Sequence, residues 1–353
     1  MKKLLLLSLF IFPLFSNAQV LLTENFNSLN VGNISNETTG AVAGQGSYYL
    51  FSSNGTPPTT TTNAGVTNAQ IVASGNASKG ILLEGPNGDL GSRFVWKDGL
   101  STLWSSRTTG NEIIELELDI NPGAGTSTSR NTFGAYIFNA AGDRVLAGFT
   151  VRAATRELFL VAYSTPTGNP VGSYSYSLAA APGIQLPANT FSRIGISYNV
   201  TTRLVTIKAP GLATGATVTG SSTATPPAEV DFIAFSGNTT AAPNSAAATM
   251  VMDNLSLKAT ATDSLLDNAT FDSATTSFSV SPNPANDFIT VSNSENILVN
   301  SISITDLNGR VVKQNSFTDV TNVQVNISDL SSGVYMMNIT SDKGSVTKKI
   351  IKN

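Results

Sequence analysis

The residues best spaced for chemistry lie in NEIIELELDI, Asn111 to Ile120. Glu115, Glu117 and Asp119 fall two apart there, and Ile114, Leu116, Leu118 and Ile120 fill the alternate places. In a strand, residues i, i+2 and i+4 share one face at intervals of about 6.6 Å, so the three carboxylates would project together. Retaining glycosidases hold two carboxyls ~5–5.5 Å apart and inverting ones ~6.5–9.5 Å, so this spacing permits acid/base chemistry on a sugar. An antiparallel sheet with one apolar and one solvated face produces the same pattern, with the acids on the wet side. The uninterrupted apolar alternation favours that second reading, in which the strand has no catalytic residue. The alternative makes Glu115, Glu117 and Asp119 the machinery of a carboxylate-dependent glycoside hydrolase or polysaccharide lyase.

Other chemistries are closed by what is missing. The chain of 353 residues has no cysteine and no histidine. Disulfides, thiolate zinc sites, cysteine nucleophiles, Ser-His-Asp triads and imidazole acid/base catalysis are therefore excluded. What is left is carboxylate, hydroxyl, Lys or Arg chemistry, or an oxygen-ligated ion such as calcium. Twenty basic residues stand against 23 acidic ones, a net charge of −3. Removal of Lys2 and Lys3 with a leader would take that from −3 to −5, and no nucleic-acid partner fits such a balance.

The elements that must position the acids are strands. From Val20 to about Lys258, short apolar or alternating runs such as GILLEG, SRFVWK, TFGAYIF, ELFLVAY and EVDFIAFS are separated by Gly, Pro, Asn and Asp, the rhythm of a β-sandwich. Short turns between Ala135 and Lys208 predict an antiparallel meander, with FSRIGISYNVTTRLVTIKA its clearest hairpin. Ser52 to Asn68 and Ala213 to Pro227 read as long surface loops. Residues 259–276 have a small, polar linker composition, and a second block of strands fills residues 277–353. The fold class is all-β: a large jelly-roll sandwich over residues 19–258, then a small immunoglobulin-like one.

Ahead of these, MKKLLLLSLFIFPLFSNAQ has two lysines, an apolar run from Leu4 to Phe15 and small residues at Ser16 and Ala18. This predicts a signal peptide over residues 1–18, cut after Ala18. Pro13 and the polar exit argue against a membrane anchor, and no later run is apolar enough for a transmembrane segment.

The C-terminal block carries SPNPANDFITV, ITDLNGRVV, LSSGVYMMNI and KKIIKN, in that order. Together these resemble the type A C-terminal sorting domain of the type IX secretion system of Bacteroidota. The resemblance covers nearly all of residues 277–353 and picks out Pro282, Asn283, Pro284, Asp306, Gly309, Gly333, Tyr335, Lys348 and Lys349. It implies transit through the periplasm and across the outer membrane, with the type IX machinery and its surface protease as partners. The product would be secreted or held at the outer cell surface. Asp263-Ser264-Leu265 and Asp272-Ser273-Ala274 resemble the O-glycosylation acceptor pattern of these bacteria, at Ser264 and Ser273.

The first domain resembles concanavalin A-like and laminin-G-like jelly rolls, a likeness of fold that does not transmit function. Laminarinase-type β-glucanases of this fold carry Glu-x-Asp-x-x-Glu, whereas this strand reads Glu-x-Glu-x-Asp and has Ile120 where the last acid belongs. Some carbohydrate-binding jelly rolls hold structural calcium where their termini meet, which here implies Glu24 with Asp253 or Asn254. Exposed rings that stack on sugars supply a binding hypothesis, with Trp96 and Tyr176 the candidates for a polysaccharide or surface glycan. Trp104, in STLWSS, reads as a core plug. The expected function is an exported, non-catalytic glycan- or ligand-binding, adhesin-like sandwich.

Overall fold

The computed structural model describes residues 18–353 except 56–62, 76–77, 126–127, 222–224, 238–242, 267–277, 294–296, 307–309 and 342–343. The leader and Ser273 therefore lie outside the described residues, as does Gly309. The chain divides into two units between Leu266 and Asp267.

The first unit begins with strands β1 (Gln19–Glu24), β2 (Gly32–Asn33), β3 (Tyr48–Ser53), β4 (Ala69–Gly75), β5 (Ser78–Glu84) and β6 (Ser92–Lys97), followed by helix α1 (Leu100–Ser105). It continues with β7 (Ile113–Asn121), β8 (Thr132–Phe138), β9 (Val145–Arg152), β10 (Glu157–Ser164), β11 (Gly172–Ser177) and β12 (Ile184–Gln185). It closes with β13 (Ser192–Asn199), β14 (Leu204–Ala209), β15 (Leu212–Thr219), β16 (Glu229–Phe235) and β17 (Thr249–Thr260).

These strands make two antiparallel sheets. The first has the order β15-β14-β13-β7-β17-β5-β4-β2, with β1 also on β17; the second has the order β11-β10-β9-β8-β16-β6-β3, with β12 also on β10. Alternation drives the layering: Ile114, Leu116, Leu118 and Ile120 of β7 are fully buried and share one core with Leu50, Val95, Phe149 and Phe232 of the second sheet. Each such side chain contributes roughly 1.5–3 kcal/mol of burial. The architecture is the all-β sandwich expected, and β1 does meet β17, Glu24 opposite Leu255.

Three local expectations change. The meander divides, because β8 to β11 pair in sequence within the second sheet while the β13–β14 hairpin belongs to the first. Part of the loop expected over Ala213 to Pro227 is a strand. Gly211, at φ +80°, turns the chain back, and Leu212, Ala216 and Val218 pack on the core as edge strand β15. The linker expected from residue 259 begins later, since β17 runs to Thr260 and residues up to Leu266 stay with the first unit. Trp104 is buried on α1, with the Arg107 guanidinium 4.2 Å from its ring.

The second unit consists of β18 (Phe278–Ser281), β19 (Phe288–Asn293), β20 (Val299–Thr305), β21 (Val311–Val320), β22 (Val323–Asn326), β23 (Gly333–Ser341) and β24 (Gly344–Lys352). They form a β18-β19-β22 sheet and a β21-β20-β23-β24 sheet. Ile289, Val291, Ile302, Ile304, Met337, Ile339 and Ile350 fill the core of this small sandwich.

Candidate functional site

The acidic strand β7 is not wet. Glu115 is 0 % exposed and Glu117 3 %, because the chain that leaves β17 folds back as a strap across this face. Ser264 donates to Glu115 from its backbone N–H at 2.5 Å and from its hydroxyl at 2.8 Å, and the Thr260 hydroxyl adds a third bond at 3.1 Å. The Leu266 N–H reaches Glu117 at 3.2 Å. Beneath the strap, Gly195 of β13 leaves room for it, since a Cβ there would lie 3.0 Å from Leu265 Cδ2. Asp263 fixes the strap from its other side, accepting from the Ser197 hydroxyl at 2.9 Å and lying 4.0 Å from the Lys208 ammonium. The solvated face expected for these acids is thus corrected. An acid with local donors can be buried, and the linker composition hid the donors.

Arg193 completes the arrangement, lying 3.2 Å from Glu117 and 3.4 Å from Asp119 and donating to the Asn254 carbonyl. Asn254 sits at φ +52° in a bulge of β17 and returns its side-chain amide to Asp119 at 2.8 Å. Burial pushes Glu115 above the usual carboxylate range against the pull of its three donors. These are the features of a structural clamp: the carboxylates are occupied by the chain itself, and Glu115 presents no surface to a substrate. Ser264, one of the two proposed glycan acceptors, has its hydroxyl committed to that clamp.

Glu24 and Asp253 do not come together as a calcium pair. Glu24 shares the inner side of the sheet with Leu255, accepting from Phe26 N–H at 2.8 Å and Tyr48 hydroxyl at 3.4 Å. Asp253 pairs with Asp119 on the outer side and accepts from Ser74 and Ser78 at 3.1 and 3.0 Å. Burial pushes Asp253 up to about 6. Among the described residues, no cluster of three or more acids suits a metal ion.

The outer face of the second sheet is different. Strand register puts Tyr49, Trp96, Asp231 and Tyr136 in one cross-strand row and Phe51, Phe94 and Ile233 in the next, with Phe235 in a third. The intervening residues Leu50, Val95, Phe232 and Ala135 face the core. Tyr49 and Trp96 stack at 5.4 Å and 15°. Phe94 meets Phe51 at 6.2 Å, Phe235 at 5.2 Å and Phe138 at 6.5 Å, while Tyr136 lies 5.8 Å from Phe235. Phe51 is 37 % exposed and Tyr49, Phe94, Trp96, Tyr136 and Phe235 are half-buried. Gly148, opposite Tyr136, gives that ring its place, because a Cβ there would strike it at 2.5 Å. Gly40, at φ +75°, brings the Glu37–Val42 loop against the Trp96 ring. Glu37 holds that loop by accepting from the Thr39 hydroxyl, from Val42 N–H at 3.0 Å and from Thr39 N–H at 2.6 Å, bonds that keep its carboxyl at about 2.

Two acids sit among these rings. Glu229 and Asp231 hydrogen-bond each other, and burial raises both, Asp231 well above the usual range. Of the sequence candidates, Trp96 belongs to this face. Tyr176 does not: it packs against the core, its hydroxyl 2.6 Å from Ser164. Tyr49, Phe94, Tyr136, Glu229 and Asp231 were not singled out from the sequence, although YYLFS, SRFVWK and EVDFIAF place a ring or an acid at their outward positions.

In the second unit, Asn283 bridges the edge of β24, donating to Lys349 O at 2.8 Å and accepting from Ile351 N–H at 2.9 Å. Ala285 continues with Ile351 O at 2.8 Å and Asn353 N–H at 2.9 Å. The SPNPA segment thereby acts as a short partner for KKIIKN and covers that edge. Residues 279–353 match the secretion system C-terminal sorting domain family. The C-terminal unit is a type IX sorting domain. It sends the chain through the type IX secretion system to the cell surface or the extracellular space.

Within the sorting domain, Pro282 and Pro284 flank Asn283, so its side chain replaces main-chain donors that prolines lack. Asp306 and Arg310 close the β20–β21 turn through bonds of 3.0 and 3.1 Å. Tyr335 is buried and donates to Ser331 O at 2.8 Å, beside Gly333 at the start of β23. Lys348 and Lys349 lie on edge strand β24.

No curated protein matches the sequence. Among solved structures, the chain is similar to a sialidase at 6 % identity, covering 65 % of this chain and 18 % of that one, with a TM-score of 0.35. It is similar to the alginate lyase vAL-1 from Chlorella virus at 11 % identity, covering 54 % and 88 %, with a TM-score of 0.37. A PL-14 alginate lyase from Aplysia kurodai gives 10 % identity, 67 % and 98 % coverage and a TM-score of 0.41. Among the described residues, no helix is long and apolar enough to cross a membrane.

Proposed function

We propose that the first unit is a binding module delivered outside the cell by its sorting domain, and that it holds a glycan on the ring-lined face of the second sheet without cleaving it. The observation that carries this is the contiguous, half-buried cluster from Tyr49 and Trp96 to Phe94, Phe235 and Tyr136, with Phe51 exposed beside it. Rings buried in a core need no such surface; half-exposed rings in rows offer flat apolar area at low entropic cost, as sugar faces require.

The carboxylates favour binding over hydrolysis. Glu115 and Glu117 are occupied by the strap. Asp231 is buried, and burial raises the carboxyls of both Glu229 and Asp231. A glycan array probed with the full-length protein, followed by a product assay on each ligand found, tests the reading. Binding without new reducing or unsaturated ends supports it, and turnover abolished by Glu117→Gln contradicts it.

A further inference from the structure

The charges around the rings limit what can lie on them. Building on the glycan-binding reading above, we infer that the ligand is an uncharged saccharide. Its sugar faces lie on the Tyr49–Trp96 and Phe51–Phe94 rings, and its hydroxyls bond the carboxyl groups of Glu229 and Asp231.

The middle of the face is acidic. Asp231 stands in the same row as Trp96 and Tyr136, Glu229 is opposite Phe138, and Asp98 adds its charge beside Glu229. Cations that reach this side are engaged elsewhere: Arg152 lies 2.9 Å from Glu157 and 4.8 Å from the Phe159 ring, and Arg144 lies 3.9 Å from Asp143 and 5.2 Å from the Tyr163 ring. A uronate or sulfated chain laid on the rings would bring its charges against carboxyls that face no unengaged cation among the described residues, and like charges in a half-dry site repel strongly.

Asp231 Oδ1 supplies the second observation. It is buried in a residue only 4 % exposed and has no hydrogen-bond partner among the described residues. An orphan acceptor among aromatic rings is costly in the free protein and is relieved by a donor that arrives with a ligand. Sugar hydroxyls donate, so they suit an acceptor that lacks a donor. Other occupants fit less well. Two copies meeting on this face about a two-fold axis would set Asp98, Glu229 and Asp231 against themselves. An anionic membrane surface would meet the same acids.

Native affinity electrophoresis of the full-length protein tests this, with hydroxyethyl cellulose, laminarin, xylan, galactomannan or amylopectin in the gel and alginate or polygalacturonate in parallel. The expected result is retardation by one or more neutral polymers and none by the uronates. Raising the salt from about 0.05 to 0.5 M should leave the retardation unchanged, since screening acts on charge pairs. Trp96→Ala and Phe51→Ala should each weaken it about tenfold, as loss of a central ring does at an interface; Phe51 is exposed enough that its variant folds if Trp96→Ala does not. Retardation by alginate or polygalacturonate that salt abolishes overturns the charge class while leaving a glycan on the rings. Retardation by none of the polymers, or retardation that both ring variants retain, overturns the ring-face reading as well. A dimer that Phe51→Ala dissolves gives the face to a second copy and overturns both.

Discussion

The outer faces of the two sheets both carry acids two residues apart, Glu115 and Glu117 on β7 and Glu229 and Asp231 on β16, and they use them in opposite ways. On β7 the chain supplies donors: Ser264, Thr260 and Leu266 from the strap and Arg193 from β13. On β16 burial raises both carboxyls among rings, and Asp231 Oδ1 has no partner among the described residues. Spacing along a strand therefore says little about use. What decides is where the donors come from.

Disturbing the clamp should cost the most. Glu117→Ala leaves Arg193 short of a partner and the Leu266 N–H unpaired, and should lower stability by about 3 kcal/mol in a urea melt. Gly195→Val pushes a side chain into Leu265; a loss of about 2 kcal/mol is expected, with faster proteolysis after Leu266. If either variant melts like the parent, the strap is not held as described.

A smaller effect is expected from pH. Asp253, pushed up to about 6, and Glu115, Glu229 and Asp231, also raised, hold protons in the folded chain at pH values where the unfolded chain has released them. The stability this brings is complete below the unfolded carboxylate range and is lost as pH climbs through about 6. Melting temperature should therefore rise by about 2 °C from pH 7 to pH 5, and Asp253→Asn should flatten the slope. The lowered carboxyls Glu37 and Asp329 act below this window and do not reverse its sign. The least effect on stability is expected on the other face: Phe51→Ala should change it by about 0.5 kcal/mol or less, although the same change should weaken ligand binding.

Much of the fold was legible because alternation is a backbone property. Ile114, Leu116, Leu118 and Ile120 announce the inner side of β7 wherever the strand pairs, and Trp104 reads as core from its surroundings. The strap was not legible. ATATDSLL has the small polar composition of a linker, and only in three dimensions do Ser264 and Thr260 lie against acids about 145 residues earlier in sequence. The ring face was legible in part. Trp96 was visible as a residue, but its row with Tyr49, Asp231 and Tyr136 joins strands β3, β6, β16 and β8, and that order is set by topology, which no local pattern encodes. The sorting domain was legible throughout its described residues, because its motifs are local: Asn283 and Ala285 bond the same terminal strand that KKIIKN spells.

The two faces can be tested side by side. Glu115→Gln and Trp96→Ala would be run in one native gel containing the neutral glycan that retards the parent protein. Glu115→Gln should be retarded like the parent, and Trp96→Ala should run free. Retention by Trp96→Ala with loss in Glu115→Gln would contradict the ring-face reading and return the function to the acidic strand.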